Sequence, residues 1–169
     1  MNDLEWLDGY SGESTDELLG LEGKFRTDSL AVAFEEALDQ KSVRVGAENL
    51  TEEERIVLAV EALEREVNNG GYSQFLLNAS DEYAPMIVRA LNRIGRDEVA
   101  ALTQDAIDAL GIAGSVTAEA VDAAMAEEDE QRDAKLNACD EKYYAVAGDL
   151  AGALIEFIKS NRSAIRLTE

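Results

Sequence analysis

Apolar residues recur at intervals of three and four through most of the chain, and this period constrains the fold more than any other feature. It is clearest in the stretch "LTEEERIVLAVEALEREV", where four apolar positions share one face of a helix: Ile56, Val60, Leu63 and Val67. Thr51 and Glu54 have the spacing of a capping box, which predicts that the helix begins directly after Thr51.

The same period returns along the rest of the chain, so we predict an all-α fold. We expect a single compact multi-helix domain over residues 1–169, with about seven or eight helices and a C-terminal helical pair at about 117–161. The segment "SVRVGAEN" is predicted to be a linker. The segment "AEEDEQRDAKLN" offers almost nothing apolar between Met125 and Leu136. A helix there would be polar on all sides and would project into solvent, pair with an outside molecule or be poorly ordered.

The net charge of the chain limits the kinds of molecule that it can bind. The chain has 15 basic and 36 acidic residues, a formal net charge of −21. A field of that sign repels nucleic acid and anionic membranes and attracts basic proteins. We therefore expect no direct nucleic-acid binding and no membrane association.

Catalytic and metal-binding chemistry has little support in the residue types. Histidine is absent and Cys139 is the only cysteine, which removes the usual general base and the commonest zinc ligands. We predict no enzymatic activity, no metal site and no cofactor. The start "MNDLEWLDGY" is acidic and lacks a long apolar run, so we expect no secretory signal and a cytoplasmic location.

Acidic residues are the strongest candidates for function. Carboxylates four residues apart on a helix differ by about 6 Å in rise, similar to the span between successive phosphates of one DNA strand. The residues nominated for a partner-binding acidic surface are Glu52, Glu53, Glu61, Glu127, Glu128, Asp129, Glu130 and Asp133. Such a surface could replace DNA on a basic DNA-binding protein. The alternative is that the acidity provides only solvation or adaptation to a salty cytoplasm.

The stretch "EVNNGGYSQFLLN" is the least ordinary in the chain. Its characteristic positions are Glu66, Asn69, Gly70, Gly71, Tyr72, Gln74 and Phe75. With "EYAPMIVRALNRIG" and "TQDAIDALG" it resembles the DNA-mimic-protein family, well over residues 18–111 and more loosely beyond. The resemblance implies an all-α fold and, for the characterised branch, an acidic dimer that occupies the DNA-binding surface of a transcription repressor.

The corner within this stretch, residues 68–75, has a structural and a functional interpretation. In the structural one, Gly70 and Gly71 supply positive φ, and Gln74 with the asparagine amides caps unpaired backbone groups. In the functional one, Glu66, Asn69 and Gln74 line a small-ligand or enzymatic site. A third hypothesis is an immunity-type protein that binds a basic toxin.

Overall fold

The computed structural model describes residues 3–169, apart from the side chains at positions 79 and 80. Within that range lie eight α-helices: α1 (Thr15–Leu19), α2 (Thr27–Val45), α3 (Glu52–Leu77), α4 (Ile87–Arg93), α5 (Asp97–Asp108), α6 (Ala118–Ala126), α7 (Glu130–Val146) and α8 (Leu150–Ser160). Short 3-10 helices lie at Ala47–Asn49 and Ala79–Tyr83. No β-strand occurs among these residues beyond isolated bridges. The all-α prediction and the predicted number of helices are confirmed.

Helix starts follow the predicted capping chemistry. Thr51 Oγ1 accepts a hydrogen bond from the Glu54 amide at 3.1 Å, and the Glu54 carboxylate accepts one from the Thr51 amide at 3.1 Å. Ser14 and Glu17 form the same reciprocal pair at the start of α1. Both boxes satisfy amide groups that the first turn of a helix leaves unpaired.

Two compact units make up the chain, and their boundary falls inside α3. The first unit comprises residues up to Glu61 together with Ala151–Glu169. In it, the ammonium of Lys41 lies 2.7 Å from the fully buried carboxylate of Glu54 and also donates to the carbonyl of Arg166 at 2.7 Å. The segment that carries this carbonyl also buries Ile165 and Leu167. The buried ion pair thus holds the C-terminal segment of the unit.

The second unit comprises Ala62–Leu150. In it, α5 packs against both α4 and α7, and α6 packs against the 3-10 helix at 79–83. Its buried apolar side chains include Tyr72, Phe75, Leu91, Val99, Leu136 and Tyr143. The predicted single domain over residues 1–169 stays a prediction.

Two segments differ from the expectations. Residues 42–45, predicted as part of a linker, continue α2, which ends only at Gly46 with φ 90°. Val43 is 87% exposed, so this last turn carries no apolar stripe from which it could have been predicted. The polar segment 126–137 is interrupted after Ala126, and α7 restarts at Glu130 with Asp129 as its N-cap. Among the described residues, no helix combines the length and the apolar character needed to cross a membrane.

Candidate functional site

The corner breaks α3 at two glycines that have different reasons to be glycine. Gly71 has φ 75° and ψ −177°, a conformation open almost only to glycine. Gly70 has φ −155°, which is not left-handed, so the predicted positive φ at Gly70 is wrong. Space is what requires glycine there, because a Cβ on Gly70 would lie 2.9 Å from Cβ and from Cδ of Gln74.

Asp140, a residue of α7, completes the corner. Its Oδ1 accepts a hydrogen bond of 2.7 Å from the Tyr72 amide, the first amide after the glycines. A Cβ on Gly71 would lie 2.7 Å from Cγ of Asp140, so glycine also makes room for this carboxylate. Burial raises the pKa of Asp140, and the hydrogen bond from the Tyr72 amide opposes that rise. The carboxylate caps the second half of α3 in the manner of an N-cap residue.

The polar side chains of the corner are bonded to one another. Glu66 is 8% exposed, and its Oε2 accepts hydrogen bonds from Gln74 Nε2 at 2.7 Å and from Asn78 Nδ2 at 2.8 Å. Asn68 Nδ2 donates to the carbonyl of Glu64 at 2.7 Å, which lies more than one turn before the break and not at it. Gln74 bonds a carboxylate and not the backbone. Asn69 is exposed. Glu66 and Gln74, two of the three residues of the ligand-site hypothesis, are therefore engaged within the corner.

Aromatic packing gives the corner a further structural role. Tyr72 and Phe75 are fully buried. The Tyr72 hydroxyl lies 2.8 Å from Thr103 Oγ1, and its ring meets that of Tyr143 edge-on at a centroid distance of 5.9 Å. Burial raises the pKa of Tyr72. These contacts support the interpretation that Tyr72 and Phe75 of the corner have a structural role.

The nominated acidic residues lie in both units and differ in exposure. In the first unit, Glu52 is exposed and Glu53 half-buried in the first turn of α3. Glu61 is only 6% exposed, so it has to be removed from the predicted surface. Glu61 lies in a stretch of α3 in which the residues before and after it in the chain are also buried.

In the second unit, the acidic run at residues 127–133 is exposed at every nominated position. Asp129 Oδ1 accepts from the Arg132 amide at 2.9 Å, and Asp133 pairs with the Arg132 guanidinium at 2.8 Å. Among the described residues, no hydrogen bond or ion pair holds the side chains of Glu128 and Glu130. In this run, Asp129 and Asp133 are bonded to Arg132, whereas Glu128 and Glu130 face solvent.

Arg132 anchors this polar run to the end of α6. It is 6% exposed, and its Nη1 donates to the carbonyls of Ala124 at 2.6 Å and Glu127 at 2.9 Å. Carbonyls at the end of α6 that lack helical partners are thereby satisfied. The expectation that a helix in the segment 126–137 would be polar on all sides and project into solvent, pair with an outside molecule or be poorly ordered did not include this contact, since a buried arginine gives no apolar signal.

The exposed face of α5 adds carboxylates that the sequence analysis did not nominate. They are Asp97, Glu98, Asp105 and Asp108. From the first to the last the helix rises about 16 Å. The sequence could have predicted their exposure, because they lie outside the buried stripe of α5 that contains Val99, Leu102 and Ala106.

A carboxyl pair lies where the 3-10 helix at 79–83 packs against α6. Asp81 is 8% exposed and has Asp122 of α6 as a neighbouring carboxyl group. Burial, together with the neighbouring carboxylate, raises the pKa of Asp81 to about 6. Among the described residues, no group of three or more Asp, Glu, Cys or His is arranged to hold a metal ion.

Comparison with known proteins gives one match. The family model for DMP19-like proteins matches residues 48–161, which is more than half of the chain. The matched range contains the corner, α5 and the acidic run. It begins at residue 48, later than the region 18–111 identified from the motifs, and it extends further towards the C-terminus. No curated protein and no solved structure matches the chain.

Proposed function

Because the chain belongs to the DMP19-like protein family, we propose that it is an acidic interaction protein that imitates DNA. In this proposal it binds a basic DNA-binding protein, a transcription factor or a nucleoid protein, and blocks the partner's access to DNA. The expected location is the cytoplasm. Neither catalysis nor direct nucleic-acid binding forms part of the proposal.

One observation carries the proposal: most carboxylates of the second unit are exposed, while two of its arginines are tied to backbone carbonyls of the fold. Residues 62–150 contain 18 acidic and 7 basic residues, a formal net charge of −11. Arg132 and Arg96 are tied to backbone carbonyls at the ends of α6 and α7 respectively. The charge that remains towards solvent is therefore strongly negative, as a surface that replaces phosphates must be.

Helix geometry supports the same reading. Exposed carboxylates at Glu98, Asp105 and Asp108 lie on a single rigid helix, and their positions along its axis differ by about 4–15 Å. A DNA strand advances about 3.4 Å per phosphate, so these intervals correspond to separations of roughly one to four phosphates. Because the backbone of the helix is already formed, binding has to order only the side chains.

A competition experiment tests the proposal. Basic DNA-binding proteins captured on the immobilised protein would be identified, loaded with labelled DNA, and challenged with increasing amounts of the free protein in a gel-shift assay. We expect displacement of DNA from at least one of them. Binding of that partner to the protein should also weaken steeply as salt concentration rises, because ions screen the carboxylates. Retention of DNA by every captured protein would refute the proposal.

A matched pair of variants separates mimicry from general acidity. Glu128→Gln with Glu130→Gln removes two exposed charges from the second unit, and Asp3→Asn with Asp8→Asn removes two exposed charges near the N-terminus. We expect the first pair to weaken displacement more than the second. Equal effects of the two pairs would indicate that only the total charge matters.

A further inference from the structure

A groove between α5 and α7 in the second unit has a volume of about 460 Å³. The apolar residues that line it are Ala101, Leu102, Ala145 and Val146. A second cavity of about 320 Å³ shares Glu98 and Val146 with it, so the depression continues past the end of α7. Leu102 is 6% exposed, so Ala101, Ala145 and Val146 contribute most of the exposed apolar surface of the groove.

Charged groups lie along both sides of this groove. Glu98 and Asp105 stand on the α5 side and Lys142 on the α7 side. Asp97 lines the continuation of the groove, so the α5 side is consistently acidic. Arg96 also lies in the continuation, but its guanidinium donates to the carbonyls of Val146 and Ala147, and its charge is therefore held at the end of α7.

Charge complementarity decides which occupant fits the groove. Nucleic acid would be repelled by the acidic side, and a second copy of the chain, with 36 acidic and 15 basic residues, would bring mostly carboxylates to it. A long basic side chain suits both parts of the groove, because its methylene stem is apolar and its end is cationic. Lysine and arginine are also the residues that a DNA-binding protein presents to phosphates.

We propose that the α5–α7 groove receives a lysine or arginine side chain of a basic partner protein. The stem lies along Ala101 and Val146, and the charged end pairs with Glu98 and Asp105. This inference rests on the proposed function and adds a specific contact to it. The partner is recognised by the methylene stem of its lysine or arginine in the groove as well as by its charge. Lys142 on the opposite side gives the groove a polarity, which directs the incoming cation towards α5.

Titration with defined peptides tests the groove without a known partner. The probe is a helical peptide of alanine and lysine, added to the full chain carrying labelled alanine and valine methyl groups and followed by NMR. We expect the largest shifts at Ala101, Ala145 and Val146. A control peptide replaces each lysine with 2,4-diaminobutyric acid, which keeps the charge and shortens the stem. Binding at least as tight for the short-stem peptide would overturn the proposal.

Matched variants separate the groove from the total charge. Glu98→Gln with Asp105→Asn should weaken peptide binding about tenfold, whereas Glu128→Gln with Glu130→Gln removes the same charge outside the groove and should have a much smaller effect. Lys142→Gln should tighten binding more than Lys24→Gln does, since only Lys142 lines the groove.

Filling the groove tests its shape at constant charge. Ala101→Leu should weaken binding of the lysine peptide, and Ala134→Leu, at an exposed position of α7 outside the groove, should not. Equal effects of these two variants, or of the two acidic pairs, would overturn the groove proposal. DNA displacement in the gel-shift assay would then still support mimicry by the general acidic surface, so the failures of the two proposals are distinguishable.

Discussion

The corner makes a quantitative prediction for Gly71→Ala. The substitution has two costs that the structure separates. First, alanine must adopt φ 75° and ψ −177°, for which strain of about 1–3 kcal/mol is typical. Second, its Cβ would lie 2.7 Å from Cγ of Asp140. The carboxylate must then move away from the Tyr72 amide, and loss of a hydrogen bond to a buried donor costs about 1–3 kcal/mol.

The free energy of unfolding should therefore fall by about 2–6 kcal/mol in Gly71→Ala. Urea denaturation followed by circular dichroism measures this value. The matched control is Gly114→Ala, because Gly114 has φ 96° but nothing within 4 Å of a Cβ. Only the backbone strain applies to that position, so its cost should be smaller.

A double-mutant cycle with Asp140→Ala isolates the second cost. In the Asp140→Ala background the carboxylate is already absent, and Gly71→Ala should then cost only the backbone strain. We expect the two substitutions to be non-additive by about 1–3 kcal/mol. Strict additivity, or a cost for Gly71→Ala no larger than that for Gly114→Ala, would refute the argument that Asp140 requires glycine at the corner.

Three further predictions concern buried charges; the first two are measured by chemical denaturation and the third by hydrogen exchange. The pKa of Asp81 is raised to about 6, so its protonated form contributes to the stability of the fold. This contribution is complete below the pKa of an ordinary aspartate and is lost as pH rises through about 6. Asp81→Asn should stabilise by up to about 3 kcal/mol above that pH and change little at pH near 3; equal effects at both would contradict this. Glu54→Gln should cost about 3–5 kcal/mol by leaving Lys41 buried without its counter-charge, and a cost under 1 kcal/mol would contradict it. Arg132→Met should speed hydrogen exchange in α6 selectively, because carbonyls at its end lose their donor; uniform acceleration would argue against that role.

Local features of the fold were readable from the chain because both partners lie within a few residues. The capping box at Thr51–Glu54 forms as predicted, and residues of the same spacing form a second box at Ser14–Glu17. The break at the two glycines was also predicted, and so was the left-handed φ at Gly71. The same local reasoning failed at Gly70, since the requirement there is space for Gln74 and not a positive φ.

Features that depend on distant residues were not predictable in this way. Asp140 follows Tyr72 by 68 positions, and nothing in its neighbourhood marks it as a cap. Arg132 belongs to a run that seemed wholly polar, because a buried cation satisfied by backbone carbonyls leaves no apolar period. The α5–α7 groove depends on how two helices pack, which a hydrophobic pattern on either helix does not specify.

The sequence by itself determined the helical class, the positions of most helices and the sign of the electrostatic field. Those properties depend on residue type and on spacings of three or four along one helix. Only the tertiary structure decided which carboxylates face solvent. It buried Glu61 and Glu66, used Asp140 as a cap and left the acidic face of α5 beside an apolar groove. The physical reason is that a carboxylate's exposure is set by the packing of its helix, and packing joins residues far apart in the chain.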